Sequence, residues 1–579
     1  MRYFALATDY DGTLAHDGVV SPETIAALER LRATGRKLIL VTGRELADLL
    51  RAFPRIELFD RVVAENGALI YSPATREEQP LGEAPPEALV AALRAQEIAP
   101  LSVGRVIVAT WHPNETVVLK TIRDLGLEHQ VIFNKGAVMV LPPGINKATG
   151  LGAALAQIQL SAHNIVGVGD AENDHAFMNL CECSVAVANA LPMIKERADY
   201  ITRGDHGDGV AELIGMIIDD DLRGLEPQMA RHQLLLGRRA GQDGAEVRIA
   251  PYGVNLLLTG SSGAGKSTLA TAILERLAEQ GYQFCIVDPE GDYEAFEGAV
   301  TLGDPNRDPS ADVVIELLET SSQNAIVNLL GIALEDRPAF FEQLLPRIQE
   351  LRARSGRPHW LVIDEAHHLL PTSWRPSPST LPQELSGLML ITVHPDHVAP
   401  SVLSLIQMII TVGESPEKAI QGFGEALGQP SPDLAPVQLG SGEALVWSRA
   451  SDRNHGMGSP APFRLRIAPP RGQRRRHSRK YAEGNLGDDK SFYFRGPAGK
   501  LNLRAQNLTM FMQLAEGVDD DTWLYHLRQG DYRRWFQEAI KDDELAAQSA
   551  RLEEQAQMSA AKSRAAIKAA IEQRYTMPA

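Results

Sequence analysis

Two aspartates one residue apart, Asp9 and Asp11, leave an apolar run, Phe4–Thr8, and are followed at once by Gly12 and Thr13. A buried strand of that kind delivers its last residues to the rim of a sheet, where ligands bind. Residues i and i+2 leave it on the same side. One carboxylate can then attack a phosphoryl group and become an aspartyl phosphate, while the other protonates the leaving oxygen and later activates water. Gly12 lets the chain turn away, although Asp-Gly pairs also make plain turns. Later segments supply what the reaction would lack. A second run, Leu38–Val41, delivers Thr42-Gly43-Arg44, whose hydroxyl and backbone N–H groups can grip a phosphate. Lys147 can neutralise charge on a transferring phosphoryl group. A third run, Ile165–Val168, leads to Asp170, Asn173 and Asp174, an acidic loop suited to Mg²⁺.

Alternation of such strands with helical patterns predicts an α/β chain with a mostly parallel sheet covered on both faces. One of the helices is well punctuated: Ser21 can cap it, Pro22 suits its first position, Ile25, Leu28 and Leu31 make its inner stripe, and Gly35 stops it. With Glu65-Asn66-Gly67-Ala68 and Val185-Ala186-Val187-Ala188-Asn189-Ala190, the four motifs resemble the Cof-type branch of the haloacid dehalogenase (HAD) superfamily of phosphatases over residues 1–220. The resemblance implies a Rossmann-like core (1–84 and 141–220) with a small α/β cap (85–140) acting as a specificity lid. It implies Asp9 as nucleophile and metal ligand, and Asp11 as acid/base with its carbonyl on the metal. Thr42, Gly43, Lys147 and Asn173 are the implied phosphate holders, and Asp170 and Asp174 complete the Mg²⁺ site.

A second chemistry begins after Val254–Leu258. That strand enters Thr259-Gly260-Ser261-Ser262-Gly263-Ala264-Gly265-Lys266-Ser267-Thr268, and an apolar helix follows. Glycines in this pattern let backbone N–H groups close around phosphates at a helix N-terminus. Lys266 would reach the β- and γ-phosphates of ATP, and Ser267 would ligate Mg²⁺. The strand Trp360–Ile363 ends in Asp364-Glu365, where Asp364 can hold the metal shell and Glu365 can polarise water. His394 stands where a polar sensor of the γ-phosphate is expected. With Asp288-Pro289-Glu290-Gly291-Asp292-Tyr293, these features resemble the HerA/FtsK-like translocase ATPases over residues 234–469. The resemblance implies a RecA-like domain, a hexameric ring, DNA as the usual track, and an arginine donated in trans, with Arg375 and Arg449 as candidates. Relatives often carry His and Glu where this chain has Glu290 and Asp292, and their amino-terminal barrel is here reduced to 234–250 at most.

At 579 residues, 44% hydrophobic and 23% charged, the chain is multidomain and globular, and its net charge of −17 argues against a protein that coats nucleic acid. Three cysteines cannot staple it, and a bare Cys181-x-Cys183 is a poor zinc signature. No signal peptide or membrane span is expected, so the chain reads as a cytoplasmic protein. A basic linker (470–500) carries six Lys/Arg between Arg471 and Lys480. Beyond it a helical region (501–579) is expected, with Leu501–Ala515 helical, Trp523, Trp535 and Phe536 as core, and Glu544–Arg574 rich in alanine. Two joint purposes follow: a ring that engages DNA while the phosphatase processes DNA ends or nucleotides in repair or defence, or a phosphatase of a sugar phosphate or similar small phosphoester with the ATPase as oligomeric scaffold and regulator.

Overall fold

Runs such as Leu38–Val41 and Ile165–Val168 carry no polar residue to turn toward solvent, so they are stable only in a sheet covered on both faces. The computed structural model describes the chain except for 242–243, 262, 295, 375–384, 450–460, 471–485, 487–489, 498, 541, 554–557 and 576–579. Arg375 and the basic stretch Arg471–Lys480 therefore lie outside the described residues. The chain forms two compact units, Met1–Ala468 and Pro469–Ala579.

Among the described residues, the first unit holds three sheets. In the first, Ala5–Thr8 lies between Ile165–Gly169 and Lys37–Val41, all parallel, and Arg61–Ala64, Cys183–Ala186 and Tyr200–Ile201 extend it in parallel. The hairpin Leu69–Ser72 and Glu77–Pro80 closes one edge antiparallel. Register fixes the chemistry: Thr8 is level with Val168 and Leu40, so Asp9, Asp170 and Thr42 all leave the same end. The helix Pro22–Ala33 packs on this sheet through Thr24, Ala27, Leu28 and Leu31, and the Ser21 hydroxyl accepts the Thr24 N–H as its cap.

A four-stranded antiparallel sheet forms the cap, in the order Ser102–Val103, Val108–Trp111, Ala137–Leu141, Gln130–Asn134. Side chains alternate across it. Val138 and Val140 join Leu89, Leu93, Val118 and Ile122 of the cap helices Glu87–Ala95 and Glu115–Asp124, whereas Met139 and Leu141 pack with Ala68 and Ile145 of the core. The second cap strand starts only at Val108, because residues 105–107 are drawn aside by Glu65 (below).

The third sheet has eleven strands among the described residues. At its centre Met408–Val412, Leu256–Gly260, Leu388–Thr392, Trp360–Ile363 and Phe284–Asp288 run parallel in that spatial order. Alternate residues feed two cores: Leu257, Leu361 and Ile363 on one face, and Leu256, Leu258, Trp360 and Val362 on the other. Leu234–Arg239 and Glu246–Ile249, the remnant expected of a separate barrel, are an antiparallel extension of this same sheet.

The second unit pairs Phe492–Phe494 with Leu503–Ala505 antiparallel and adds helices Leu508–Gly517, Asp520–Arg528, Asp531–Glu538, Asp543–Glu553 and Ala560–Tyr575. The helix expected from Leu501 thus begins at Leu508, and residues 503–505 are strand. Trp523, Tyr532, Trp535 and Phe536 are core, and the Trp523 indole N–H donates to Ser563 Oγ at 2.9 Å. Among the described residues, no helix is long and apolar enough to cross a membrane.

Candidate active sites

At the rim of the first sheet the Lys147 ammonium is buried between two carboxylates, 2.5 Å from Asp9 Oδ1 and 2.6 Å from Asp174 Oδ1. Asn146 places it: its side chain accepts the Ala148 and Thr149 N–H groups and starts the helix Lys147–Gln157. Asp170 stands in the same space, taking a hydrogen bond from Thr13 Oγ1 at 3.0 Å and an ion pair from Lys135. Oxygen atoms of Asp9, Asp170 and Asp174 lie within 4.8 Å of one another. Three convergent carboxylates are the donor set that Mg²⁺ selects, so the residues present fit that ion. Electrostatics agree. Burial and Asp174 push the Asp9 carboxyl well above its usual range against the pull of Lys147, and burial raises Asp170 as well. Asp174 Oδ2 also accepts the backbone N–H groups of Asp170 and Ala171, which pins the acidic loop.

Other expected residues stand around this cluster. Buried Thr42 accepts the Arg44 N–H on its hydroxyl. Gly43 borders Asn173, whose side-chain amide donates to Asn66 Oδ1 at 2.9 Å. Asp11 is turned elsewhere: Arg44 grips both of its oxygens at 2.7 Å, and the Asp11 side chain remains 46% exposed. Two residues make contacts that the sequence motifs do not reveal. Lys135, at the tip of the cap hairpin with φ of 47°, reaches down to Asp170. Glu65, buried in the core, accepts the N–H groups of Arg105, Val106 and Ile107 at 2.9, 2.9 and 3.1 Å, tying cap to core.

Gly12 has φ of 87°, and a Cβ there would lie 2.5 Å from Asp170 Oδ2 and 2.6 Å from Lys135 Nζ. Lys135 can move, but Asp170 is buried and fixed by Thr13. Gly12→Ala is therefore expected to lower phosphatase kcat/KM by roughly a hundredfold, the cost of misplacing a reacting group by about 1 Å. Steady-state phosphate release checks it.

The nucleotide loop starts at Gly260, whose φ is 140°; a Cβ at this position would lie 2.0 Å from the Val412 carbonyl oxygen, so there is no room for a side chain. The loop residues Ser261, Gly263, Ala264 and Gly265 lead into the helix Lys266–Glu279, which carries Ser267 and Thr268 in its first turn. Lys266 Nζ donates to the Gly260 and Ser261 carbonyls at 3.0 and 3.1 Å, folded over its own loop. Burial lowers the Lys266 ammonium, and Glu365, Asp364, Glu290 and Asp292 oppose that shift. Ser267 Oγ lies 3.5 Å from Asp292, which draws Asp292 closer to the site than its departure from the family pattern suggests. Asp364 is buried, and burial pushes it well up, with Asp288, Glu365 and Asp292 adding to the rise. Ser267, Asp364 and their acidic neighbours offer hard oxygens, again a set that fits Mg²⁺. Asp288 itself accepts the N–H groups of Glu290, Asp292 and Tyr293 and so shapes that loop.

His394 donates its backbone N–H to Thr392 Oγ1, and its ring stacks on His397. Thr392, level with Thr259 of the loop strand, is a buried polar residue two positions before His394. Arg449 donates to Ile406 O and Gln429 Oε1 within its own chain, which makes it a poor donor across an interface.

Comparison with known proteins follows the same division. The haloacid dehalogenase-like hydrolase family matches residues 6–99 and 106–214, and an AAA domain matches 253–409. The phosphoglycolate phosphatase of Methanothermobacter thermautotrophicus is 30% identical over 219 residues, which is 36% of this chain and 96% of that protein. The phosphoglycolate phosphatase of Haloarcula marismortui is 30% identical over 218 residues, 36% of this chain and 95% of that protein. A haloacid dehalogenase-like hydrolase from Bacteroides thetaiotaomicron aligns over 37% of this chain and 99% of its own, with 21% identity and a TM-score of 0.33. The chain belongs, through residues 6–214, to the haloacid dehalogenase-like hydrolases, and it joins that phosphatase-type domain to an AAA-type ATPase domain.

Proposed function

We propose that the first domain hydrolyses small phosphomonoesters that carry a second anionic group, phosphoglycolate among them, through an aspartyl phosphate on Asp9. The observation that carries this is the buried ammonium of Lys147 clasped by Asp9 and Asp174 beside Asp170. Lys147 holds Asp9 in place and offers its charge to the phosphoryl oxygens; Thr42, Gly43 and Asn173 supply further donors. Asp9 attacks phosphorus, and the ester oxygen leaves with a proton from Asp11, which must exchange Arg44 for that oxygen. Asp11 then takes a proton from water as it attacks the aspartyl phosphate, releasing phosphate and restoring Asp9. Asp9, Asp170, Asp174 and the Asp11 carbonyl would hold Mg²⁺, whose contribution is Lewis-acid charge stabilisation.

Lys135 supplies the specificity. A half-exposed ammonium on the cap, aimed at the reaction centre, suits a carboxylate on the far end of a short substrate. Lys135→Ala should cut kcat/KM roughly ten- to hundredfold for phosphoglycolate, the value of a charged hydrogen bond, and much less for a neutral sugar phosphate. An equal loss across the panel would refute the specificity role.

For the second domain the reading is ATP hydrolysis in a HerA-like hexameric ring with DNA as its track. The loop at Gly260–Thr268, the Asp364-Glu365 pair and the Asp288-capped segment support it. DNA added at low salt, where phosphate contacts are strongest, should raise ATP turnover; an unchanged rate would favour the scaffold and regulator role and a purely metabolic phosphatase.

A further inference from the structure

Away from both active sites, where the phosphatase sheet meets the ATPase sheet inside the first unit, three potential ligands converge on one another: His163, Glu182 and His232. Their ligand atoms lie within 4.8 Å of each other. His163 Nε2 is 2.6 Å from the Gln280 carbonyl, and Nδ1 is 2.8 Å from Glu182 Oε2. A carbonyl only accepts, so Nε2 carries the ring proton, and Nδ1 then turns a lone pair onto a carboxylate oxygen. That oxygen already accepts the Tyr282 hydroxyl at 2.6 Å. His232 interacts with the Cys181 carbonyl, and its Nε2 is buried without a hydrogen-bond partner. One added proton would settle His163 and leave His232 Nε2 orphaned. One cation among the three settles both.

We propose that His163 Nδ1, His232 Nε2 and the Glu182 carboxylate bind a zinc-class divalent cation at the junction of the phosphatase and ATPase domains. Two imidazoles and one carboxylate are a zinc donor set, softer than the all-oxygen sites that Mg²⁺ takes. The outer contacts already have the form such sites need. A backbone carbonyl fixes the His163 tautomer, and Arg2 orients the other Glu182 oxygen at 2.7 Å. Glu226 balances the Arg2 charge at 3.1 Å. A cleft of about 630 Å³, lined by both histidines, Tyr282 and Gln280, gives access and room for water in a fourth position. Because the ligands come from the phosphatase domain and the segment that leaves it, while Gln280 and Tyr282 come from the ATPase domain, the cation would brace the two against each other.

The test uses the full chain, stripped with chelator and dialysed, with excess MgCl₂ present to fill the carboxylate sites. Zinc titrated into wild type by calorimetry should bind at one per chain and raise the melting temperature. His232→Ala, which removes the ring with the unpartnered Nε2, should weaken zinc at least roughly a hundredfold, beyond the usual cost of losing a supporting residue, and abolish the melting shift. Co²⁺ in the wild-type protein should show the visible bands of a nitrogen-ligated site, a readout independent of any variant's folding. Absence of zinc binding in wild type, equal affinity in the two proteins, or a cobalt spectrum of oxygen ligation alone would each overturn the proposal.

Discussion

Asp9→Asn is expected to lower phosphomonoester turnover by roughly four orders of magnitude or more, the scale seen when a covalent nucleophile is removed. The amide keeps the shape of the side chain but cannot attack phosphorus. It also changes what Lys147 sees: an ammonium 2.5 Å from a carboxylate oxygen would face a neutral group, with Asp174 as its remaining partner. Burial already disfavours charge at Asp9, so neutralising it should leave the melting temperature close to that of wild type. Phosphate release from a panel of phosphomonoesters, with thermal melting of the same samples, checks both parts. ATP turnover should persist, because Lys266 and Asp364 follow strands of a different sheet. A variant that retained a hundredth of wild-type phosphatase activity would show that another group forms the covalent bond.

Lys266→Ala carries the second large effect, a fall in ATP turnover of roughly a thousandfold, at the upper end for one preorganised donor to developing charge. This ammonium rests on the Gly260 and Ser261 carbonyls, and burial makes its charge harder to keep. Incoming phosphates offer better partners than two carbonyls, so the lysine is poised to transfer. Truncation removes that charge and also loosens the loop it braces, so nucleotide affinity should fall together with kcat. Glu365→Gln separates the two contributions: it should keep nucleotide binding and lose hydrolysis. Coupled-enzyme ATP turnover and nucleotide titration are the measurements, and wild-type turnover in Lys266→Ala would refute the assignment.

Residues that follow an unbroken apolar strand are legible in the sequence, because a strand's polarity and end can be read locally. Asp9, Thr42 and Asp170 each follow such a run, and parallel register alone brings them to one rim. The Gly260–Lys266 loop is legible for the same reason, with a strand before it and a helix after. Lys135 is not, since it lies in a stretch without a motif and meets Asp170 only through the cap's placement. Its one signal is the turn Asn134-Lys135-Gly136, a hairpin tip that has to point somewhere. Glu65 stands inside a recognised motif, but its three acceptor bonds depend on a loop 40 residues away. The strand Leu503–Ala505 reads as helix because leucine, arginine and alanine favour helix locally, and pairing with Phe492–Phe494 overrides them. His163, Glu182 and His232 have no motif spacing at all; only folding assembles them.

The Glu65 clasp sets terms for traffic through the phosphatase. Swinging the cap away would strand a buried carboxylate and three amide donors, and at about 1.5–3 kcal/mol per charged bond the excursion costs on the order of 5 kcal/mol or more. At about 1.4 kcal/mol per decade, fewer than about one molecule in a thousand would stand ajar at any moment. The roof is therefore held shut rather than hinged, and under the proposed chemistry compact anionic esters are expected to react far faster than bulky ones.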